Sequence, residues 1–333
     1  MKRKKLINFL VIIGFIIVPI AGNSTTTYAK SKMITLRALS FLPTTISSLT
    51  YFGEYIKKVN ERAKGELKIN WVGGPEVIAA FDQGQAVKDG IIDIIAGASN
   101  YYSSLYPHGL VMDVSPYTPM EERENGVYEM WRDYYKEAMN VYYLGRLDTR
   151  GFYLFTTFNL SNPKDIAGRK IYAFPAIQAW VKALGAAPTS LAAAEQYTAL
   201  EQGLVGGGVI PVTNIMSWGM QEVIDYMVDH EIYPASGITL TMNLDKFKSL
   251  PKHLQEIMKD VAVENEIEMV EWFNEENKKA KRQLLDAGVE FITFSPEDAK
   301  SYVDLAVQAR WEDYKKRVSP EVYNKAAEML GYK

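Results

Sequence analysis

Residues 162–175, NPKDIAGRKIYAFP, and residues 195–211, EQYTALEQGLVGGGVIP, decide how this chain is read. In the first, Pro163 and Gly168 bracket a one-turn polar segment, after which 169–174 alternate as a strand does until Pro175 ends it. A strand that stops on proline delivers its last side chains to an edge or a cleft. In the second, 194–204 suit a helix, and the run Gly206-Gly207-Gly208 halts it as a tight turn before a short apolar piece ending at Pro211. Helix, glycine turn and strand in succession bring backbone close to whatever occupies the cleft.

Upstream, 33–39 reads as a strand, 47–63 as an amphipathic helix stopped by Gly65, and 67–72 as the next strand. A turn at 73–76 leads into a helix through Phe81 and Val87, and 91–95 is an apolar run suited to a strand covered on both faces. This alternation is the doubly wound α/β pattern, in which ligands sit beyond the carboxyl ends of the strands. Those ends are 41–44, 73–76 and 98–102, which makes Glu76 and Tyr101 candidate site residues. Further on, 121–140 is helical, 141–144 and 151–156 are strands leading into a second lobe, 214–228 is a helix carrying Trp218, and 237–242 is a strand returning to the first lobe.

From Leu250-Pro251 a helix with an apolar stripe (Leu254, Ile257, Met258, Val261) runs to Leu285, where Gly288 stops it. At about 1.5 Å per residue it is roughly 50 Å long. A lobe of this size has a radius of gyration of only about 14 Å, so the helix is expected to span both lobes. A strand at 289–294 and a helix from Pro296, with Ser295 as N-cap, complete the second lobe. The expected organisation is α/β and two-lobed, each lobe a doubly wound, mostly parallel sheet. Residues 1–29 form a signal peptide, 30–151 plus 237–250 the first lobe, 152–236 plus 289–333 the second, and 251–288 the spanning helix.

The opening stretches resemble the substrate-binding proteins of tripartite ATP-independent periplasmic (TRAP) transporters. Asp165-Ile166-Ala167-Gly168-Arg169-Lys170-Ile171-Tyr172 occupies that family's D-l-x-G-x-K-i-R motif. Its E-x-Y-x-A-L-q-x-G-v-v-D-G-x-x-N-P motif is matched by Glu195, Tyr197, Ala199, Leu200, Gly203, Val205, Gly207 and Pro211. Residues 85–94 and 243–255 match two further family patterns, with Gln85 where an acidic residue is usual. The resemblance implies a monomeric two-lobed receptor with a long helix across its back, which closes on a small-molecule solute and delivers it to TRAP permease membrane subunits. Three positions depart from the pattern. Tyr172 stands where the family has the arginine that forks onto a substrate carboxylate, and Gly206 and Ile210 stand where it has Asp and Asn.

An arginine fork is the best geometric match to a carboxylate, so its absence points to a neutral, aromatic or cationic solute. The positions falling on the family's ligand-facing motif are Tyr172, Phe174, Ile210 and Asn214. Tyr172 can hydrogen-bond or stack, whereas Ile210 offers only apolar surface. Tyr172 and Phe174 also admit a reading as core residues of the strand, and Trp218, on a helix, is more readily core than ligand wall. A carboxylate such as Glu76 or Asp82 beside aromatics would suit a cation. The alternative is an organic-acid receptor in which Arg169, Arg150 or Arg146 replaces the fork, Arg169 lying on the face of the strand opposite Tyr172.

The N-terminus reads as a targeting segment. Lys2-Arg3-Lys4-Lys5 precedes an apolar run over 6–21, and small residues at 27–29 suit cleavage near Ala29-Lys30. With no cysteine in 333 residues, export without disulfides fits a Gram-negative periplasm. Beyond residue 29 the chain carries 33 basic and 40 acidic side chains, a balance of −7 that gives no footprint for nucleic acid or an anionic membrane surface. The three histidines lie far apart, and no HExxH, G-x-S-x-G, phosphate-binding loop or cysteine nucleophile is present. No catalytic residue, metal or cofactor is therefore expected. A periplasmic hydrolase or carbohydrate-active enzyme using two carboxylates is the reading from another class.

Overall fold

The computed structural model describes residues 33–191 and 195–333, so the expected signal peptide and the start of the 194–204 helix lie outside the described residues. In the first lobe, β1 (Ile34–Ser40), α1 (Thr50–Arg62), β2 (Leu67–Gly73), α2 (Gln83–Lys88) and β3 (Ile94–Ala98) follow one another as the pattern predicts. Helix α1 buries Tyr51, Phe52, Tyr55, Ile56 and Val59, one stripe at helical spacing. All of β3 is buried, as a strand covered on both faces must be. It starts three residues later than expected, because Gly90 turns with φ +71° and the Asp93 carboxylate accepts from the Arg37 backbone at 2.7 Å.

The expected 121–140 helix is two helices, α3 (Pro119–Asn125) and α4 (Val127–Met139), separated by Gly126 at φ +86°. Strand β4 (Val141–Arg146) closes the first sheet, and the chain crosses to the second through 147–152. There β5 (Tyr153–Thr156), β6 (Lys170–Tyr172), α5 (Gln178–Ala183), β7 (Ala187–Thr189), α6 (Gln196–Glu201), β8 (Gly207–Ile210), α7 (Val212–Ser217) and β9 (Tyr226–Val228) follow. Two expectations are corrected here. The expected 214–228 helix ends at Ser217, Gly219 turns the chain at φ +70°, and the tail of the expected span is the strand β9. Gly207 and Gly208 are not a turn but the start of β8, where a Cβ on Gly208 would lie 2.6 Å from the Phe155 ring.

After β9 the chain recrosses to β10 (Ile238–Asn243) and α8 (Leu244–Ser249), and the long helix α9 (Lys252–Asp286) leads back to β11 (Glu290–Ile292), α10 (Pro296–Lys315) and α11 (Pro320–Met329). Strand order is β2-β1-β3-β10-β4 in one sheet and β11-β9-β5-β8-β6-β7 in the other. Each is mostly parallel with a single reversed strand, β10 in the first and β5 in the second, and each reversed strand enters by a direct crossing from the other lobe.

Helix α9 has 35 residues, about 52 Å at 1.5 Å per residue. On the first lobe it is fastened by Glu266, which accepts from Arg123 Nε (2.6 Å) and the Arg146 backbone (2.7 Å), and by Lys58–Glu268 (2.6 Å). On the second lobe it is fastened by Lys281–Asp229 at 2.6 Å. Helix α10 is a second bridge. Its Arg310 pairs with Asp113 of the first lobe at 3.3 Å, and the carbonyl of its Tyr302 accepts from Trp180 Nε1 of the second at the same distance.

Candidate functional site

The carboxyl ends of the parallel strands of both sheets converge on one cavity of about 480 Å³. Phe41 and Leu42 enter it after β1, Asn100 and Tyr101 after β3, Tyr172 to Ala176 at the end of β6, and Pro211 and Asn214 after β8. This is the position that the doubly wound topology assigns to a ligand, since loops there are free of the sheet's own hydrogen bonding. Phe81 stacks on Tyr101 at 4.6 Å and 10°, and Phe41 meets the same ring edge-on at 5.6 Å. From the second lobe, Tyr172 and Phe174 form an edge pair at 5.2 Å. Burial pushes the Tyr172 phenol upward, and the Tyr101 hydroxyl adds to the effect.

The charged groups of the wall are held by partners. Asp148 and Arg150, fully buried at 0% and 2% exposure, are joined by Nε to Oδ1 (2.9 Å) and Nη2 to Oδ2 (2.5 Å), while Nη1 of Arg150 donates to Thr213 Oγ1 (2.7 Å) and Asn214 Oδ1 (2.8 Å). Asp113 pairs with Arg310 and accepts from the Gly237 backbone, and burial outweighs both in pushing its carboxyl upward. Glu195 also reaches the wall. Asn100 Oδ1 is buried there without a hydrogen-bond partner.

Of the residues singled out in the sequence, Tyr172, Phe174, Asn214, Tyr101 and Trp218 line this cavity. Glu76, Asp82 and Ile210 do not. The Glu76 carboxylate folds back onto its own turn, accepting from the Gly74 backbone at 2.7 Å, and those backbone donors hold it below the usual carboxylate range. Ile210 is fully buried with Tyr153, Val212 and Ile215 in the second-lobe core, and its neighbour Pro211 takes the place at the wall. Among the three candidate replacement arginines only Arg150 reaches the wall. Arg169 lies over the Phe158 ring at 4.4 Å, and Arg146 is bound to Glu122 (2.6 Å) and to the Ser236 and Met112 carbonyls. Phe41, Phe81, Asn100, Asp113 and Asp148 were not foreseen. The strand-end rule covers the loops carrying Phe41 and Asn100, but nothing local marks Asp113 or Asp148. Among the described residues no cluster of His, Asp or Glu is placed to hold a metal ion, and no helix is long and apolar enough to cross a membrane.

Comparison with known proteins agrees with this architecture. The family model described as bacterial extracellular solute-binding protein, family 7 (DctP) matches residues 44–317. The C4-dicarboxylate-binding periplasmic protein DctP of Rhodobacter capsulatus is 29% identical over 176 residues, 52% of this chain and 48% of that protein. A solute-binding protein of Albidiferax ferrireducens is 22% identical over 274 residues, covering 78% of this chain and 79% of that one. The chain thus spans about half the length of the first curated relative and about four-fifths of the second. A TRAP periplasmic solute-binding protein from Desulfovibrio salexigens, crystallised with orotic acid, superposes with a TM-score of 0.77 at 19% identity over 89% of this chain and 98% of that one. These proteins are solute receptors, which removes the hydrolase reading. By the family model, which its fold accompanies, the chain belongs to family 7 of the bacterial extracellular solute-binding proteins, the DctP family, whose members work with TRAP membrane permeases.

Proposed function

We propose that this receptor closes its two lobes on a small ring-bearing solute that carries no carboxylate, neutral or cationic, and presents it to a TRAP permease. One observation carries the reading: among the described residues the one arginine on the wall, Arg150, already has its guanidinium in a fork with Asp148 and in hydrogen bonds to Thr213 and Asn214. A carboxylate placed there would have to displace a buried carboxylate that is already ideally positioned, and would meet Asp113 and Asp148 at short range. A ring between the Phe81/Tyr101 and Tyr172/Phe174 pairs meets no such opposition, and each aromatic contact adds about 0.5–1.5 kcal/mol beyond area burial. The R. capsulatus relative is named for C4-dicarboxylates and the D. salexigens protein holds orotic acid. Tyr172, standing at the fork position, supports a different solute for this chain.

Residues 1–29 act in this reading as a cleaved export signal, and the receptor works as a periplasmic monomer with no role for nucleic acid. The lobes are proposed to divide at 151/152 and 236/237, consistent with the sheets to which β4, β5, β9 and β10 belong. An organic acid bound through Arg150 is the second reading, favoured only by that residue's place on the wall. A thermal-shift screen with carboxylates in one panel and neutral and amine ring compounds in the other separates the two. A ligand at about a hundred times its Kd adds roughly 2.7 kcal/mol, a rise of several degrees. Hits confined to the second panel support the proposal, and hits confined to carboxylates reject it.

A further inference from the structure

Behind Arg150 lies a second cavity of about 330 Å³, bounded by Thr213 and Met216 on α7 and by Trp272 and Phe273 on α9. Arg150 borders both this chamber and the main cleft. One face of its guanidinium lies over the Phe273 ring at 4.8 Å, and its edges are held by Asp148, Thr213 and Asn214. A side chain with three restraining partners and a ring behind it is a fixed wall, since swinging it aside breaks a buried ion pair. We infer that Arg150 is a specificity-determining residue that sets the length of solute the receptor takes, by separating the cleft from a side chamber beneath the long helix. This rests on the reading above that Arg150 is already paired and is not the solute's ion partner.

The chamber's chemistry suits the tail of a ring compound. Met216, Trp272, Phe273 and Ala280 give it apolar surface, while Glu276 and Gln283 of the long helix and hydroxyls such as Thr213 make its polar side. In the native protein a substituent growing from a ring in the cleft toward Asn214 meets the guanidinium and stops. With the guanidinium gone, the same substituent passes into the chamber.

The test is calorimetric titration of para-alkylphenols and para-alkylbenzoates, from methyl to heptyl, against the wild type, the double variant Asp148→Asn/Arg150→Ala and Phe273→Ala. The double variant removes both charges together, so no buried ion is left alone. In the wild type affinity should rise with each methylene and then fall by about tenfold at a cut-off length. The double variant should shift that cut-off to longer chains, while Phe273→Ala, which enlarges the chamber and leaves the wall standing, should keep it. An unmoved cut-off in the double variant, or an equal shift in Phe273→Ala, overturns the inference. The series that binds reports on the head group and so tests the ligand reading separately; phenols excluded and benzoates bound would reject that reading while leaving the length dependence to decide the wall. A crystal structure of the double variant gives a solute-free answer. One continuous cavity is expected, and a neighbouring side chain refilling the guanidinium's place would overturn the proposal.

Discussion

Asp148→Asn exposes the charge balance of the cleft. In the native protein Arg150 reaches Asp148 through Nε at 2.9 and 3.1 Å and through Nη2 at 2.5 Å. Asparagine keeps one oxygen near its place, so part of this hydrogen bonding survives, but the charge that cancels the guanidinium is lost. The uncovered cation becomes the strongest anion-attracting group on the wall, and a charge-assisted hydrogen bond from it to a solute carboxylate contributes about 1.5–3 kcal/mol. That corresponds to a gain of about 10- to 150-fold in Kd. The same change destabilises the fold. Breaking a buried pair costs about 3–5 kcal/mol, and the retained hydrogen bonds put this case near the lower figure, a fall of about 6–12 °C in the melting midpoint. Calorimetric titration with malate, orotate and benzoate, and with neutral ring compounds of matching size, reads the outcome. Carboxylates should gain by about tenfold or more while neutral solutes change little. A folded variant with no gain, or a wild type that already binds carboxylates tightly and loses them on substitution, refutes the reasoning.

Other substitutions test other parts of the structure. Tyr172→Phe should leave the melting midpoint nearly unchanged and alter solute affinity, whereas Tyr172→Ala, at 2% exposure, should cost about 3–5 kcal/mol; equal solute affinity in a folded Tyr172→Phe, together with unchanged affinity in a folded Tyr172→Leu, would remove this residue from the site. Glu266→Ala leaves Arg123 and the Arg146 backbone without their acceptor and should lower stability in urea by about 3–5 kcal/mol; a loss under about 1 kcal/mol would show that α9 is not fastened there. Gly151→Ala drives a Cβ into the Glu231 side chain, which accepts from the Gly151 backbone, so it should slow or prevent lobe closure measured by small-angle scattering with solute; normal closure would clear that contact. Burial lowers His108 to about 4 from an ordinary value near 6.5. Its contribution is therefore fully present above about pH 6.5 and is lost as pH falls toward 4, because the unfolded chain takes up the proton first. His108→Phe should show a flatter urea midpoint over that window, and identical curves would exclude this residue as a cause.

The sequence spoke most clearly where local pattern and tertiary environment agree. The stripe of α1 and the unbroken period of α9 reveal themselves because each helix buries one face, and Tyr172, Phe174 and Asn214 reach the cavity wall because strand ends face the cleft. Strand β9 was hidden. Its three residues are strand only because β5 and β11 flank them, a fact about distant chain. Gly207 and Gly208 looked like a turn for a similar reason, since what excludes a side chain there is the neighbouring strand β5. Alternation alone did not show that Ile210 turns to the core, and the Asp148–Arg150 fork needs a side-chain geometry that two-residue spacing does not announce. The wall residues Asp113 and Phe81 are placed by packing against α10 and against Tyr101.

The position of β10 bears on how this protein is made. In the first sheet it lies between β3 and β4, pairing with both, yet in the chain it follows every strand of the second sheet except β11. Until about residue 243 has arrived, β4 has no partner in its own sheet, and β3 shows an unpaired apolar edge. Synthesis from the N-terminus therefore cannot yield a finished first lobe that waits for the second. Such long-range strand pairing delays folding: the first lobe stays open until about three-quarters of the chain is available, and its unpaired edges are prone to aggregation until then.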